Sequence, residues 1–150
     1  MLDYNKLKQL RTETGVSFSL CKKALEETEN DIAVAKKKLN EWGVKKASEK
    51  SKRETGDGAI FAYVHHNKRI ASLLELKSET DFVSGNQEFR ALGTELAMQV
   101  ASIPSKTIEE LLDQEYIRDP SKKISDLIKE AILKFGENIK VARFVRWEIE

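Results

Sequence analysis

Few residues of this chain could do chemistry, and most of those lack companions. Cys21 is the one cysteine, so no internal disulfide is available, and no histidine or second thiol stands near it in the sequence. Its surroundings favour a buried small side chain over a nucleophile or a metal ligand. His65 and His66 invite a metal, but adjacent residues at a strand end point to opposite faces, and no carboxylate or thiol motif accompanies them. They read as solvated turn residues. Gly56-Asp57-Gly58 lacks the Lys-Ser or Lys-Thr that completes a phosphate-binding loop. No serine sits in a nucleophile elbow, and Glu109-Glu110 belong to an ordinary charged helix surface. No catalytic set, metal site or cofactor is expected, which leaves recognition as the chemistry.

The stretch best suited to recognition is Leu73 to Val83. An apolar run stops at Lys77, and a polar turn leads into Thr80, Asp81, Phe82 and Val83 before Ser84-Gly85-Asn86 opens a helix. A large aromatic on a connection has two uses. It plugs the gap between strand and helix, with Asp81 or Ser84 as the helix cap, or it meets another molecule. The residues alone leave both open.

The elements that must hold this stretch follow from periodicity and stop signals. Asp3 caps a first helix with Tyr4, Leu7 and Leu10 on one face, and Thr14-Gly15 ends it. Ser17 caps a second, with Phe18, Cys21 and Leu25 in helical register. Asn30 or Asp31 starts a third, where Ile32, Ala35, Leu39 and Trp42 align before Gly43 stops it. Three such helices bury one another's stripes as a bundle over residues 1–43. Residues 44–56 are dense in charge and poor in apolar groups, so they read as a linker, helical in part.

Beyond Gly56-Asp57-Gly58 the pattern changes to strands. Ala59 to Val64 and Arg69 to Leu76 flank a hairpin turn at His65-His66-Asn67-Lys68. Phe89, Leu92, Leu96 and Val100, with Gly93 and Ala97, form the stripe of a helix that lies across one sheet face and ends at Ile103-Pro104. A shorter helix is expected over Thr107 to Tyr116. After Asp119-Pro120, Ser121 caps a helix carrying Ile124, Leu127, Ile128, Ala131, Ile132 and Phe135. In the closing strand, Ile139, Val141, Arg143, Val145, Trp147 and Ile149 read as one face, and Lys140, Ala142, Phe144, Arg146 and Glu148 as the other. The fold class is α+β: a three-helix bundle, then a three-stranded antiparallel sheet packed with helices over residues 57–150.

Composition narrows the setting. Lys plus Arg (26) nearly balances Asp plus Glu (25), so no bulk field draws the chain to nucleic acid or acidic membranes. Within residues 1–56, 13 basic residues face 9 acidic ones, and the remainder of the chain is net acidic, which suits a front half that approaches an acidic surface. An RNA-binding arm competes for the charged segment, but it lacks interleaved aromatics for stacking bases. No run approaches the roughly 20 apolar residues of a membrane helix, and no secretory leader is evident, so a cytoplasmic protein is expected.

Four separated motifs, Leu-Arg-Thr-Glu-Thr-Gly15, Cys-Lys-Lys-Ala-Leu25, Thr-Asp-Phe-Val83 and the closing Gly-Glu-Asn-Ile-Lys-Val-Ala-Arg-Phe-Val-Arg-Trp-Glu148, resemble elongation factor Ts. That family supplies the guanine nucleotide exchange factor of elongation factor Tu. The resemblance implies a first bundle related to ubiquitin-associated (UBA-like) domains, docked on the partner's nucleotide-binding domain. It places an ionic contact at Lys22, beside Lys23, and another at Lys50 in the charged segment. It also implies that Asp81 and Phe82 reach into the partner and disturb its Mg²⁺ site, with Thr80 and Val83 setting the turn. Long members of the family carry a second core half, and short ones pair two copies; a closing strand around Phe144 and Trp147 suits such a homodimer, the alternative being a monomer that uses only the bundle and the Thr80 to Val83 turn. The alternative function is an adaptor whose bundle binds a protein through Val16, Phe18 and Leu39.

Overall fold

Asp3 opens the first helix as expected, its carboxylate accepting from the backbone N–H groups of Asn5 (3.0 Å) and Lys6 (3.2 Å). In the computed structural model, which describes residues 1–150, the chain divides into two units. One comprises residues 1–51 with 129–136; the other comprises 52–128 with 137–150.

The first unit holds helices α1 (Tyr4–Thr14), α2 (Phe18–Glu27) and α3 (Ile32–Lys50). Ser17 and Asp31 cap α2 and α3 through Leu20 N and Val34 N. Leu7, Leu10, Val16, Cys21, Ala24, Leu25, Ala35 and Leu39 form the core, and Leu133 joins it from the second half of α7 (Ile124–Phe135). Cys21 lies inside that core, its thiol raised from the ordinary value first of all by burial.

The third helix does not stop at Gly43. It runs on to Lys50, so much of the expected linker is helical. Gly43 is there for space: a β-carbon would lie 3.2 Å from the carbonyl oxygen of Lys129 and 3.8 Å from Cβ of Leu133. Close approach of a second helix outweighs the roughly 1 kcal/mol that glycine costs in a helix interior.

The second unit is built on an antiparallel sheet in the order β1–β2–β5, from strands β1 (Asp57–Val64), β2 (Ile70–Ser78) and β5 (Lys140–Glu148). Its inner face carries Phe61, Leu74, Leu76 and Val141, and Ser72 donates to the carbonyl of Ala97 on α5 (Gln87–Ser102). Phe89, Leu96, Ala97 and Val100 of that helix are fully buried. Phe61 packs against Phe89 with ring centroids 6.2 Å apart, and its ring fills the space a β-carbon would need at Gly93.

The closing strand departs from simple alternation. Arg143 pairs with Glu75 but Val141 pairs with Leu76, so Ala142 is an extra residue in a β-bulge. The bulge moves Val141 to the inner face with Phe144, opposite Leu76 and Leu74. Val145 and Trp147 stay on the outer face, opposite Leu73 and Ala71. The expected grouping of Val141 with Val145 and Trp147 is therefore wrong, because one inserted residue inverts the pleat.

The segment after α5 is also partly different. The short helix α6 covers Ile108–Asp113, and a small hairpin of β3 (Glu115–Tyr116) and β4 (Asp119–Lys123) precedes α7. Ser121 does not cap α7; its hydroxyl donates to Asp119 at 2.6 Å within the hairpin, while Asp126 accepts from the N–H of Lys123 at 2.9 Å. Gln99, fully buried, fixes the hairpin through Gln114, the carbonyl of Glu115 and the N–H of Ile117. No helix is long and apolar enough to cross a membrane.

Candidate functional site

The connection after β2 is a single helical turn, α4 (Asp81–Ser84), started by Thr80 in extended conformation. Thr80 caps this turn, its hydroxyl oxygen accepting from Val83 N at 3.4 Å, and Asn86, not Asp81 or Ser84, caps the helix α5 that follows, accepting from Glu88 N at 2.7 Å. Below it, Ser78 donates to the carbonyl of Thr80 at 2.9 Å, and beyond it the N–H of Gly85 reaches the carbonyl of Asp81, also at 2.9 Å.

Helical geometry sends successive side chains about 100° apart, so a turn lying on a core buries two residues and offers two. Val83 and Ser84 face inward, at 8% and 7% exposure, while Asp81 and Phe82 face out. Phe82 stands 87% exposed. Of the two readings left open by the sequence, the plug is thus excluded: the ring fills no gap. Leaving a phenylalanine in water forgoes about 1.5–3 kcal/mol of burial, so folding does not account for its placement.

The turn is held from several directions within the second unit. Ser84 donates to Asp57 at 2.8 Å, and the N–H of Gly58 reaches the same carboxylate oxygen at 2.8 Å. The Gly58 amide first, and the Ser84 hydroxyl second, hold Asp57 below the ordinary carboxylate range. From the loop before β5, Glu137 accepts from the N–H groups of Glu79 and Thr80 and from the hydroxyl of Thr80, at 3.1, 3.0 and 2.7 Å. Neither Glu137 nor Asp57 was legible as a support, because their partners lie 57 and 27 residues away.

The lysines sit on the helices of the first unit. Lys22 and Lys23 are exposed on α2, and the Lys23 ammonium lies 5.1 Å from the centre of the Trp42 ring, within cation–π range. Lys50 is the last residue of α3, in the helical part of the expected linker. Of the residues named for an adaptor surface, Val16 and Leu39 are each 3% exposed in the bundle core, and only Phe18 is accessible. That surface is not presented, since the same residues that look like a contact patch are needed to hold three short helices together.

Two other features complete the inventory. His65 and His66 lie in the hairpin turn, where the side chains escape the strand's alternation; their ring centroids are 4.1 Å apart, and His65 Nδ1 is 2.9 Å from the hydroxyl of Tyr63. On the outer sheet face, Ile60, Val64, Leu73, Val145 and Trp147 are exposed. Some of them line a shallow apolar groove of about 160 Å³ with Ala62 and Ala71.

The chain is thus of the α+β class, a helical bundle followed by a sheet unit that carries an exposed aromatic on a hydrogen-bonded turn. The family model described as Elongation factor TS matches residues 79–150. Elongation factor Ts of Thermosipho melanesiensis is 37% identical over 194 aligned positions, covering 99% of this chain and 99% of the relative. The Leptospira biflexa and Coprothermobacter proteolyticus proteins of the same name are 39% and 38% identical over 188 positions, covering 95% of both chains in each case. The chain belongs to the elongation factor Ts family of translation elongation factors. Since the first alignment has 194 positions and this chain 150 residues, at least 44 positions fall opposite gaps in it.

Proposed function

We propose that this chain binds elongation factor Tu in its GDP form and promotes release of the nucleotide. The observation that carries the reading is the exposure of Phe82 on a turn whose neighbours are anchored. In such GTPases a Mg²⁺ ion with near-octahedral oxygen coordination bridges the bound phosphates to the protein. A ring that wedges between the elements behind that ion displaces them and loosens both ion and GDP. Phe82 is the wedge, Asp81 contacts the partner beside it, and Thr80 and Val83 fix the turn. Lys22, Lys23 and Lys50 supply ionic docking from the first unit.

The effect is a linkage. A ligand shifts an equilibrium only by its differential affinity for the two states. The chain therefore binds nucleotide-free partner more tightly than the GDP form, and GDP weakens the chain's own binding by the same factor. It acts on a GTPase in the cytoplasm without being an enzyme, and it uses no cofactor, nucleic acid or membrane.

A second copy of the chain is the proposed occupant of the outer sheet face. Ile60, Leu73, Val145 and Trp147 leave that face apolar, and a two-fold pairing would cover it on both copies at once. Phe144 lies on the inner face and takes no direct part.

The test is release of a fluorescent GDP analogue from elongation factor Tu. Acceleration on adding the purified chain supports the reading; release at the spontaneous rate contradicts it.

A further inference from the structure

The turn that carries Phe82 is too short to hold itself. A helix nucleus fixes several backbone dihedrals for its first hydrogen bond, and isolated helices below about 12–15 residues are marginal in water. The turn α4 has four residues. Its conformation must come from outside, and most of what fixes its entry is one carboxylate.

We infer that Glu137 is a positioning residue for nucleotide exchange: from the loop before β5 it presets the Thr80 to Val83 turn, so that Phe82 is aimed before any partner arrives. This rests on the exchange reading given above. One oxygen of Glu137 accepts from both Glu79 N and Thr80 N, at 3.1 and 3.0 Å, and the other accepts from Thr80 Oγ1 at 2.7 Å. Two of those bonds fix the peptide planes on either side of the Glu79 α-carbon, at the entry to the turn, and the third holds the Thr80 side chain. They also orient the hydroxyl, so that its proton goes to Glu137 while its oxygen stays free to accept from Val83 N. The cap and the clamp are thus one hydrogen-bond chain, and charge-assisted bonds of this kind are the strong ones.

The clamp is reciprocal. Glu79, the residue before Thr80, accepts from the N–H of Asn138 at 2.6 Å, and Arg53 pairs with its second oxygen at 2.9 Å. Asn138, itself buried, returns a bond from its side-chain amide to the carbonyl of Arg53 at 2.8 Å. Each of two adjacent segments therefore places a carboxylate on the other's backbone amides. Two acidic groups are brought together by this exchange. Glu79 is compensated by the Arg53 guanidinium and Glu137 by amide and hydroxyl donors, so each carboxylate has hydrogen-bonding partners. A turn held this way spends less of its binding free energy on ordering when it docks.

The full-length chain tests this in two arms. The first needs no partner: amide hydrogen exchange at Glu79 and Thr80 in the parent, Glu137→Ala and Glu137→Gln. Glu137→Ala is expected to lower protection at those two amides by on the order of tenfold, the scale of a lost hydrogen bond to a charged group, with β1 and β2 amides unchanged. The second arm measures GDP release from elongation factor Tu. The maximal rate at saturating chain should fall on the order of tenfold for Glu137→Ala. Glu137→Gln should fall less, because its amide oxygen still accepts from the two backbone N–H groups.

Parent protection and parent exchange rate in Glu137→Ala would overturn the inference. Should Glu137→Ala fail to fold, Glu137→Gln decides by the same criteria, an intermediate loss supporting and parent values overturning. A Glu137 variant as active as a parent that does exchange refutes the positioning role alone. A parent that does not exchange refutes the functional reading and with it the role in exchange; lost protection in Glu137→Ala would then still support the clamp on the turn, and parent protection would overturn it.

Discussion

Phe82 and Val83 are adjacent in sequence and opposite in burial, at 87% and 8% exposure. Val83 anchors the turn to the second unit, and that anchoring is what lifts Phe82 into water. The pairing separates the two roles: one side chain stabilises, the other is free to act.

The anchor side of that pair predicts a stability effect. Val83→Ala is expected to destabilise the chain by about 1–3 kcal/mol through lost burial. Urea unfolding followed by circular dichroism measures it. A change within error would mean that Val83 does not hold the turn to the core.

Gly93 gives a sharper packing prediction. The Phe61 ring occupies the space of a β-carbon there, so Gly93→Ala forces the ring and helix apart despite alanine's better helix propensity. The expected cost is about 1–3 kcal/mol, the usual range for overpacking. A stabilised variant would show that the helix can shift freely over the sheet.

Asp57 predicts an acid dependence. Its carboxyl lies below its ordinary value of 3.8, because the Gly58 amide and the Ser84 hydroxyl favour the charged form. A depressed folded value means stability that is present above the unfolded value and lost as pH falls through the folded one. The parent's advantage over Asp57→Asn in urea midpoint should therefore be full near neutrality and shrink below pH about 4. A gap that stays constant down through that range contradicts the assignment.

How much of this was readable beforehand differs from element to element. Asp3, Ser17 and Asp31 declared their helices, since a cap acts on residues two or three positions away. The strands around His65 to Lys68 were equally local. Gly43 misled because its use depends on Lys129, a contact no short window contains. The bulge at Ala142 was invisible for a related reason: apolar residues on both sides of it satisfy either pleat, and pairing with β2 chooses. The Thr80 to Val83 motif was legible as a candidate for recognition, whereas the exposure of its ring and the Glu137 clamp depend on tertiary structure.

The lysines predict a salt effect. Lys22→Ala and Lys50→Ala should weaken association with elongation factor Tu more at low ionic strength than at high, because exposed charges are screened beyond about 10 Å at 0.1 M salt. Titration at two salt concentrations measures this. Equal losses at both would argue against ionic docking.

The outer sheet face predicts self-association. Trp147, 74% exposed, is the largest apolar group there, and Trp147→Asp should shift a dimeric parent to monomer in sedimentation at micromolar concentration. A monomeric parent contradicts the homodimer.

The most direct measurement concerns Phe82 itself. Release of a fluorescent GDP analogue from elongation factor Tu is followed with the parent and with Phe82→Ala, alongside thermal unfolding of both chains. The expected result is unfolding at the same temperature and a maximal release rate lower by at least an order of magnitude in the variant. A variant that unfolds earlier, or one that releases GDP at the parent rate, contradicts the role of that ring.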